Sequence, residues 1–243
     1  MRTAAGRVNS REEGQISVKS LLGKGVYGFQ EAARLTRVSA VNTRRWFIGR
    51  SDTGASAVLH SDIPSVGDRH AISFLDLIDL RVVGQFRKQG ITMPTIRKAY
   101  AKLEVQLQTV HPFAHADLCV FGKTVFQRML EDDGVGELRE VVSGQKGMPR
   151  ILEKFLSDIE YGQRDRLAER WNIQRGVVID PLRNLGKPIS RDSGAGTYVL
   201  ARAYAANNRD ADLVATLFDT SSEAVLDAAA FERSVIAGEQ RAA

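Results

Sequence analysis

The chain has 243 residues, of which 43% are hydrophobic and 26% are charged. This length can hold two modest domains with cores of their own, and the composition is that of an ordinary globular protein. The single cysteine, Cys119, excludes an intramolecular disulfide and fits a reducing compartment. Residues 1–20 lack the apolar stretch of a signal peptide, and no apolar run approaches the roughly 20 residues that cross a bilayer. We therefore expect a cytoplasmic protein with no membrane segment.

The positive charge of the chain is concentrated at its N-terminus. Residues 1–50 contain ten Lys or Arg and three Asp or Glu, a surplus of seven, whereas residues 51–170 and 171–243 each sum to −1. The net charge of +5 therefore belongs to one end of the chain. A high isoelectric point alone would fit DNA, RNA or an acidic membrane surface, but a localised basic segment favours nucleic acid.

The segment from Tyr27 to Trp46 has the pattern of a helix-turn-helix. Ala33 offers the small residue that two crossing helices require, Val38 follows the turn as an apolar anchor, and Trp46 anchors the far end of the second helix. Arg37 stands at the turn, where a left-handed residue is expected and Gly would cost less. The alternative is a pair of ordinary packed helices with a charged outer face.

The outward positions of the second helix carry the chemistry for reading bases in the major groove. Arg pairs bidentately with guanine and Asn with adenine, and basic residues that flank the helix contact phosphates. A short apolar run from Ala57 to His60 suits a β-wing after the helix pair. The predicted DNA-binding residues are Arg37, Ser39, Val41, Asn42, Arg44, Arg45, Arg50 and His60.

Two amphipathic helices are predicted after the wing. Ser73 and Asp76 have the spacing of a helix-capping pair, and apolar residues recur behind them every four residues as far as Val82. A second helix with the same periodicity runs from Ile96 to Leu107. These helices complete the predicted DNA-binding domain.

The spacing of apolar residues changes twice in the remainder of the chain. Residues with strand propensity between Leu118 and Met129 predict a hairpin, and helical spacing returns from Ile151 to Trp171. The chain therefore divides into five predicted segments within a mainly helical α+β fold. These are a flexible arm (1–20), a winged helix-turn-helix domain (21–115), a hairpin with a connecting helix (116–174), a C-terminal helical domain like a second helix-turn-helix (175–236) and a tail (237–243).

The last two predicted helices, Asp210–Phe218 and Ser222–Glu232, form a short pair with the opposite charge. Thr220 and Glu223 have the spacing of a capping box between them. Residues 210–232 contain six carboxylates and no Lys or Arg, so DNA would be repelled. The pair therefore favours a protein partner, or a small core of its own, through its apolar residues. These are Leu213, Leu217, Phe218, Val225, Leu226 and Phe231.

No arrangement of residues in the sequence argues for catalysis or for a bound metal. Residues 23–28 match the G-x-G-x-x-G pattern, but the residues before them are weak evidence for the strand that a nucleotide loop requires. His111 and His115 have a carboxylate and a thiol nearby, yet Pro112 interrupts the helix that would bring the two imidazoles to one face. We expect hydrogen-bonded histidines in a packed loop, no metal, no cofactor and no enzymatic activity.

Several motifs, in order along the chain, resemble two-domain VapB-type antitoxins. The resemblance runs from Leu21 to Phe231. Its motifs are Gly25-Val-Tyr-Gly-Phe-Gln-Glu-Ala-Ala-Arg-Leu-Thr36, Arg44-Arg-Trp46, Ser73-Phe-Leu-Asp-Leu77, His111-Pro-Phe-Ala114, Val178-Ile-Asp-Pro181 and Gly186-Lys-Pro188. In that family a MerR-like winged helix-turn-helix precedes a C-terminal helical antitoxin domain. The resemblance implies a type II toxin–antitoxin system, in which a homodimer represses the shared operon by binding operator DNA and neutralises a PIN-domain ribonuclease.

The resemblance also places the toxin-neutralising element in the C-terminal part. PIN-type nucleases gather carboxylates around Mg²⁺ or Mn²⁺, and an antitoxin can silence them by placing an Arg against those carboxylates or by blocking RNA entry. The arginines available for this role are Arg191, Arg209, Arg233 and Arg241. The alternative function is a MerR-like transcriptional regulator that responds to a small-molecule effector and has no toxin partner.

Overall fold

The computed structural model describes residues 21–49, 54, 56–118 and 156–242, with side chains as far as Ala237. Within these residues the protein is a mixed α+β fold with seven α-helices and two small antiparallel sheets, and none of these helices is long and apolar enough to cross a membrane. The predicted arm, the predicted hairpin from residue 119 onward and Arg50 lie outside the described residues. The α-helices and strands in chain order are β1 (Tyr27–Gly28), α1 (Phe29–Thr36), α2 (Ala40–Ile48), β2 (Ala71–Ile72), α3 (Phe74–Lys88), α4 (Met93–Leu107), β3 (Ile159–Tyr161), β4 (Ala168–Gln174), β5 (Val177–Ile179), β6 (Ile189–Ser190), α5 (Thr197–Ala206), α6 (Ala211–Leu217) and α7 (Ser222–Ala242).

Two short helices, α1 and α2, form the pair predicted near the N-terminus. Arg37 joins them in the left-handed conformation expected at the turn, with φ 56° and ψ 38°. Ser39 caps α2, since its side chain accepts a hydrogen bond from the Asn42 amide at 3.2 Å. Thr43 faces inward and is fully buried, and its hydroxyl donates to the Ser39 carbonyl at 3.1 Å. A polar residue is therefore accommodated in the core because its hydroxyl is bonded within the helix.

The β-wing predicted at residues 57–60 is wrong. Val58 and Leu59 are buried, and their amides donate hydrogen bonds to the Trp46 carbonyl at 2.9 and 3.0 Å. The segment therefore folds back onto the end of α2, and these two amides cannot pair with a neighbouring strand. Strand pairing in this region occurs between β1 and β2, where Tyr27 lies opposite Ile72.

Both amphipathic helices predicted after this segment are confirmed as α3 and α4. Ser73 begins α3 in a complete capping box. Its side chain accepts from the Asp76 amide at 3.1 Å, and the Asp76 carboxylate accepts from the Ser73 amide at 2.8 Å. Most residues of α3 are buried, whereas α4 buries one face through Ile96, Tyr100 and Leu103. α3 is thus the central helix of the N-terminal part.

The helix predicted from Ile151 to Trp171 is wrong within the described residues. β3 and β4 occupy this range and join β5 and β6 in an antiparallel sheet of order β3-β4-β5-β6. Register shifts on both sides of β4 interrupt the strict alternation of a strand, so the buried residues Ala168 and Trp171 are three apart, as they would be in a helix. Gln174 pairs with Val177, so the sheet is continuous across the predicted domain boundary after residue 174.

The last two predicted helices are present as α6 and α7, and α7 differs from the prediction at both of its ends. Ser221, one residue after the predicted cap, accepts a hydrogen bond from the Ala224 amide at 3.2 Å. The Thr220 hydroxyl instead donates to Asp192 at 3.2 Å. The predicted tail is also different, because α7 continues through residues 237–242.

One hydrophobic core joins the N-terminal helices to the C-terminal sheet. Arg81 of α3 crosses this junction, where its guanidinium forms two hydrogen bonds with Asp158, at 2.7 and 3.1 Å. The same guanidinium lies 4.6 Å from the centroid of the Trp171 ring. Immediately before α1, the Tyr27 hydroxyl donates to the Gly186 carbonyl at 2.7 Å. These contacts join α3 and β1 to the C-terminal part of the protein.

Candidate functional site

The outer face of α2 is basic and exposed, while its inner face is packed. Thr43 and Trp46 are buried, whereas Arg44, Arg45 and Val41 are exposed. Val41 keeps 58% of its accessible surface. The helix therefore presents two guanidinium groups and an apolar side chain to solvent.

The other predicted DNA-binding residues surround this face to different extents. Arg37 is exposed at the turn before α2, and Ser39 and Asn42 are half-buried in the first turn of the helix. His60 is exposed directly after the segment that folds back onto the end of α2. The structure thus places one basic residue before the helix, and an exposed imidazole after it.

A cleft of about 300 Å³ opens between α1, α3, β4 and α7. Its lining includes the cationic side chains of Arg34, Arg37, Arg81 and Lys88 and the ring of Trp171. Arg81 is paired with Asp158, and the other cationic side chains favour an anionic ligand. Because Arg37 belongs both to this cleft and to the turn between α1 and α2, a molecule bound there would contact the helix pair.

A cluster of ionisable side chains is buried where three segments meet: the chain after α2, the first half of α3 and the loop after α4. Nδ1 of His111 lies 3.0 Å from Asp79 Oδ2 and 3.7 Å from Asp76 Oδ1. Its Nε2 lies 3.1 Å from Asp62 Oδ2. The Tyr100 hydroxyl donates to Asp79 at 3.0 Å. Three carboxylates therefore surround one imidazole.

Burial and ion pairing determine the charge states in this cluster. Burial acts to lower the pKa of His111, but the interactions with Asp62 and Asp79 outweigh it and raise that pKa to about 10. Burial raises the pKa of Asp76 to about 6 and also raises the pKa of Asp79, although His111 acts in the opposite direction. His111 lowers the pKa of the half-buried Asp62. At neutral pH His111 is therefore an imidazolium ion paired with carboxylates.

Sequence reasoning missed this cluster, although it correctly placed His111 in a packed, hydrogen-bonded loop. His115, four residues further along the chain, accepts a hydrogen bond from the Asp117 amide at 3.1 Å. One signal was available in the sequence. Asp76 and Asp79 lie one helical turn apart within an otherwise apolar run, where a carboxylate needs a partner if it is buried.

The glycine-rich segment at residues 23–28 packs closely against an aromatic ring. Gly25 has φ 66°, and a Cβ at this position would lie 3.0 Å from the Tyr27 ring. Tyr27 itself is fully buried. The close approach of the backbone to this ring accounts for Gly25 without a bound nucleotide.

The acidic pair α6–α7 divides its apolar residues between a core and the surface. Val225 is buried in a small cluster with Leu200 of α5. Leu213, Leu217 and Leu226 keep 44%, 62% and 46% of their accessible surface. Some apolar residues of this pair therefore form a small core, and three leucines remain exposed to solvent.

The four arginines predicted to reach a toxin have different surroundings. Arg209 and Arg233 are exposed, the first between α5 and α6 and the second on α7. Arg191 is hydrogen-bonded to Asn172 and lies 3.8 Å from a carboxylate oxygen of Glu160, so it is held on the sheet. The side chain of Arg241 lies outside the described residues.

A comparison with solved structures finds the same fold in another protein. The crystal structure of Rv2018 from Mycobacterium tuberculosis matches with a TM-score of 0.69 at 25% sequence identity, and the match covers 83% of this chain and 96% of that chain. No protein-family model matches the sequence, and no curated protein matches it. The similarity therefore concerns a shared fold over most of both chains.

Proposed function

We propose that this chain is the antitoxin of a type II toxin–antitoxin system, which represses its own operon through α1 and α2 and neutralises a PIN-domain ribonuclease through its C-terminal part. The observation that carries the DNA-binding half is the outer face of α2, where Arg44 and Arg45 are exposed on a helix that Trp46 anchors from the other side. The ordered resemblance to VapB-type antitoxins supports the toxin partner.

DNA is the polyanion that fits this face best. A helix-turn-helix inserts its second helix into the major groove, where Arg reads guanine and an apolar side chain such as Val41 contacts the methyl group of thymine. Arg37, at the turn, is placed to contact a phosphate at the edge of the groove. The surplus of seven positive charges in residues 1–50 adds an attraction that does not depend on sequence. Base readout and phosphate attraction are therefore available together.

Fluorescence anisotropy with a labelled fragment from upstream of the gene tests this assignment. Replacement of Arg44 and Arg45 by Ala should weaken binding by about 1–3 kcal/mol for each arginine that is bidentate to a base, and should reduce the preference over an unrelated fragment. Arg202→Ala is the matched control, because Arg202 is an exposed arginine on α5. Equal binding by the double variant and the wild type would show that α2 is not the recognition helix.

We expect the chain to bind operator DNA as a homodimer. One recognition helix covers only a half-site, and a two-fold axis lets two helices read a palindrome. α4 is a candidate for the interface, since Val105 keeps 80% of its accessible surface there. Sedimentation with and without operator DNA should give a dimer at micromolar concentration, and a monomer in both states would contradict this.

The acidic pair α6–α7 has the surface of a protein-binding element. Leu213, Leu217 and Leu226 are exposed within a segment that has six carboxylates and no Lys or Arg. A protein can cover these leucines and pair with carboxylates at the rim, whereas DNA would be repelled. Arg233 follows the acidic segment on α7 and is exposed, so it can approach the metal-binding carboxylates of a PIN-domain nuclease.

Point substitutions test the toxin interface better than truncation does. A chain that ended at Gln174 would separate β4 from β5, since Gln174 pairs with Val177. Leu217→Asp should strongly reduce co-purification with the nuclease encoded beside the gene, because it places a charge in the buried part of the interface. Val66→Asp is the matched control, since Val66 is an exposed aliphatic residue in the N-terminal part.

A separate substitution distinguishes binding from neutralisation. Arg233→Ala should leave the complex intact but restore part of the RNA cleavage, if the guanidinium acts against the nuclease carboxylates. Unchanged co-purification and unchanged inhibition in both Leu217→Asp and Arg233→Ala would reject the C-terminal assignment.

Regulation by a small-molecule effector is the second candidate function, and the cationic cleft between α1, α3, β4 and α7 favours it. An anion bound beside Arg37 would act directly on the turn before α2. Thermal shift measurements with inorganic phosphate and small carboxylates test this possibility. An anion that raises the melting temperature and changes operator affinity in the wild type but not in Lys88→Ala would support the effector function, and no response to any of them would reject it.

A further inference from the structure

We propose that Asp62, Asp76 and His111 bind one divalent transition-metal ion, with Zn²⁺ as the favoured ion, and that Asp79 holds His111 in the orientation for binding. This site goes beyond the proposed function, because neither DNA recognition nor inhibition of a nuclease requires a metal in this chain. The proposal depends on the geometry of the buried cluster alone.

The three ligand residues meet the distance requirement for a shared ion. One potential ligand atom from each residue lies within 4.8 Å of the other two. Nε2 of His111 is 3.1 Å from Asp62 Oδ2. Two ligands of a tetrahedral Zn²⁺ lie about 3.3 Å apart, given metal–ligand distances of about 2.0 Å. The contact between His111 and Asp62 is close to that separation.

Buried atoms without hydrogen-bond partners lie at this cluster. Asp76 is fully buried, and its Oδ2 accepts from the Ser73 and Asp62 amides at 2.8 and 3.1 Å. Its Oδ1 has no hydrogen-bond partner and lies 3.7 Å from Nδ1 of His111. Buried polar atoms in folded proteins are nearly always satisfied, and a metal ion would satisfy Oδ1 of Asp76.

Asp79 lies where a carboxylate would hydrogen-bond to the ring nitrogen of a metal-bound histidine that does not bind the metal. Its Oδ2 lies 3.0 Å from Nδ1 of His111, so it can accept the Nδ1 proton while Nε2 faces Asp62. The Tyr100 hydroxyl lies 3.0 Å from the same carboxylate oxygen and 2.6 Å from the Val110 carbonyl oxygen, so its proton is shared between the two acceptors. An arrangement of carboxylate, histidine and metal fixes the tautomer and the orientation of the ring.

The charge and the exposure of the cluster also suit a divalent cation. Three carboxyl groups surround one imidazole, and a divalent ion that displaces the imidazole proton adds positive charge where these groups gather. The Asp62 side chain keeps 27% of its accessible surface and lines a cleft of about 360 Å³, so an ion can enter and water can complete its coordination. One imidazole with two carboxylates favours Zn²⁺ over Mn²⁺, and disfavours Mg²⁺.

An ion at this site would tie three separate segments together. Asp62 belongs to the segment that folds back onto the end of α2, Asp76 lies in the first turn of α3, and His111 lies in the loop after α4. Binding to the folded state alone stabilises it. Zn²⁺ should therefore raise the melting temperature of the protein.

Isothermal titration calorimetry of the full chain, stripped with a chelator, tests the site with ZnCl₂, MnCl₂ and MgCl₂ as separate ligands. We expect one Zn²⁺ per chain, weaker binding of Mn²⁺ and no binding of Mg²⁺. Asp62→Asn should reduce the affinity for Zn²⁺ at least about tenfold, and Asp79→Asn should reduce it about 10- to 100-fold. His60→Gln is the matched control and should bind as the wild type does, because His60 is an exposed imidazole two residues from Asp62.

Co²⁺ gives a readout that does not depend on the folding of the Asp62 variant. The visible absorption of the Co²⁺-loaded wild type should be that of an ion with few ligands, all of them nitrogen or oxygen atoms. Asp79→Asn should shift these absorption bands. Asp79→Glu should restore part of the affinity that Asp79→Asn loses. Failure of the wild type to bind one equivalent of Zn²⁺ would overturn the proposal. The proposal would also be overturned if Asp62→Asn kept the Zn²⁺ affinity of the wild type and His60→Gln lost it. That result would mean that the ion binds at the protein surface.

Discussion

Two helix pairs, α1–α2 and α6–α7, share the same turn and capping geometry but expose surfaces of opposite charge. Each pair turns through a residue in the left-handed conformation, Arg37 with φ 56° and Asp219 with φ 48°. Each second helix is capped by a serine, Ser39 or Ser221, that accepts a hydrogen bond from the amide three residues later. The backbone of a helix pair therefore gives no information about its partner.

The exposed side chains of the two pairs are what differ. α2 exposes two arginines together with Val41 and Ile48, whereas α6 and α7 expose leucines among carboxylates. The charge on the outer face thus separates a surface that attracts a polyanion from one that repels it. The proposed division of labour between operator DNA and a protein partner follows from this contrast.

The two pairs also differ in how they are held. α1 and α2 pack into the main core that includes the C-terminal sheet, whereas the apolar residues buried in α6 form a smaller cluster with α5 and α7. Substitutions that loosen α2 should therefore affect the stability of the whole chain. Exposed substitutions on either pair should change binding but leave stability almost unaltered.

The largest expected effect comes from the anchor of α2. Trp46→Ala should lower the free energy of unfolding by about 3–5 kcal/mol, because it removes a large buried side chain and leaves a cavity. Val41→Ala, on the exposed face of the same helix, should change it by less than about 0.5 kcal/mol. Urea denaturation checks both values. Similar losses in the two variants would show that α2 is not anchored as described.

A smaller effect is expected at the junction between the two regions. Asp158 accepts hydrogen bonds from the Arg81 guanidinium and, at 3.2 Å, from the Trp171 ring nitrogen. Asp158→Asn should lower the free energy of unfolding by about 2–3 kcal/mol, less than for a fully buried pair because the Asp158 side chain is 30% exposed. Asp68→Asn, at an exposed carboxylate, is the control. A loss no greater than that of the control would mean that the junction does not depend on this ion pair.

The smallest expected effects come from the two turns. Arg37→Gly should raise the free energy of unfolding by up to about 1 kcal/mol, since Gly adopts positive φ without strain, although the entropy of the unfolded chain offsets part of the gain. Asp219→Gly should raise it less, because Asp tolerates this conformation better than Arg does. Only Arg37→Gly should weaken operator binding. Thermal unfolding and anisotropy together check this pair, and destabilisation by both substitutions would contradict it.

Local features were predictable wherever a few neighbouring residues determine them. The spacing of Ser73 and Asp76 predicted the start of α3, and the position of Arg37 predicted a left-handed turn, because capping and turn geometry depend on the residues themselves. The exposed arginines of α2 followed from helical periodicity once Trp46 was assigned to the core.

The errors have tertiary causes. Val58 and Leu59 have high strand propensity, but their amides donate hydrogen bonds to the Trp46 carbonyl. In β4 the register shifts imitate helical spacing. The buried cluster unites residues that are up to 49 positions apart, from Asp62 to His111, and no sequence spacing predicts which carboxylates will meet around an imidazole.

Hydrogen exchange of the full chain with its promoter DNA tests the contrast between the helix pairs most directly, because one experiment reports on both. We predict that saturating DNA slows exchange at residues 37–48 and leaves residues 210–232 unchanged, and that a bound partner nuclease does the reverse. Protection of residues 210–232 by DNA, or exchange at residues 37–48 that DNA does not slow, would contradict the assignment of the basic pair to operator DNA and of the acidic pair to protein.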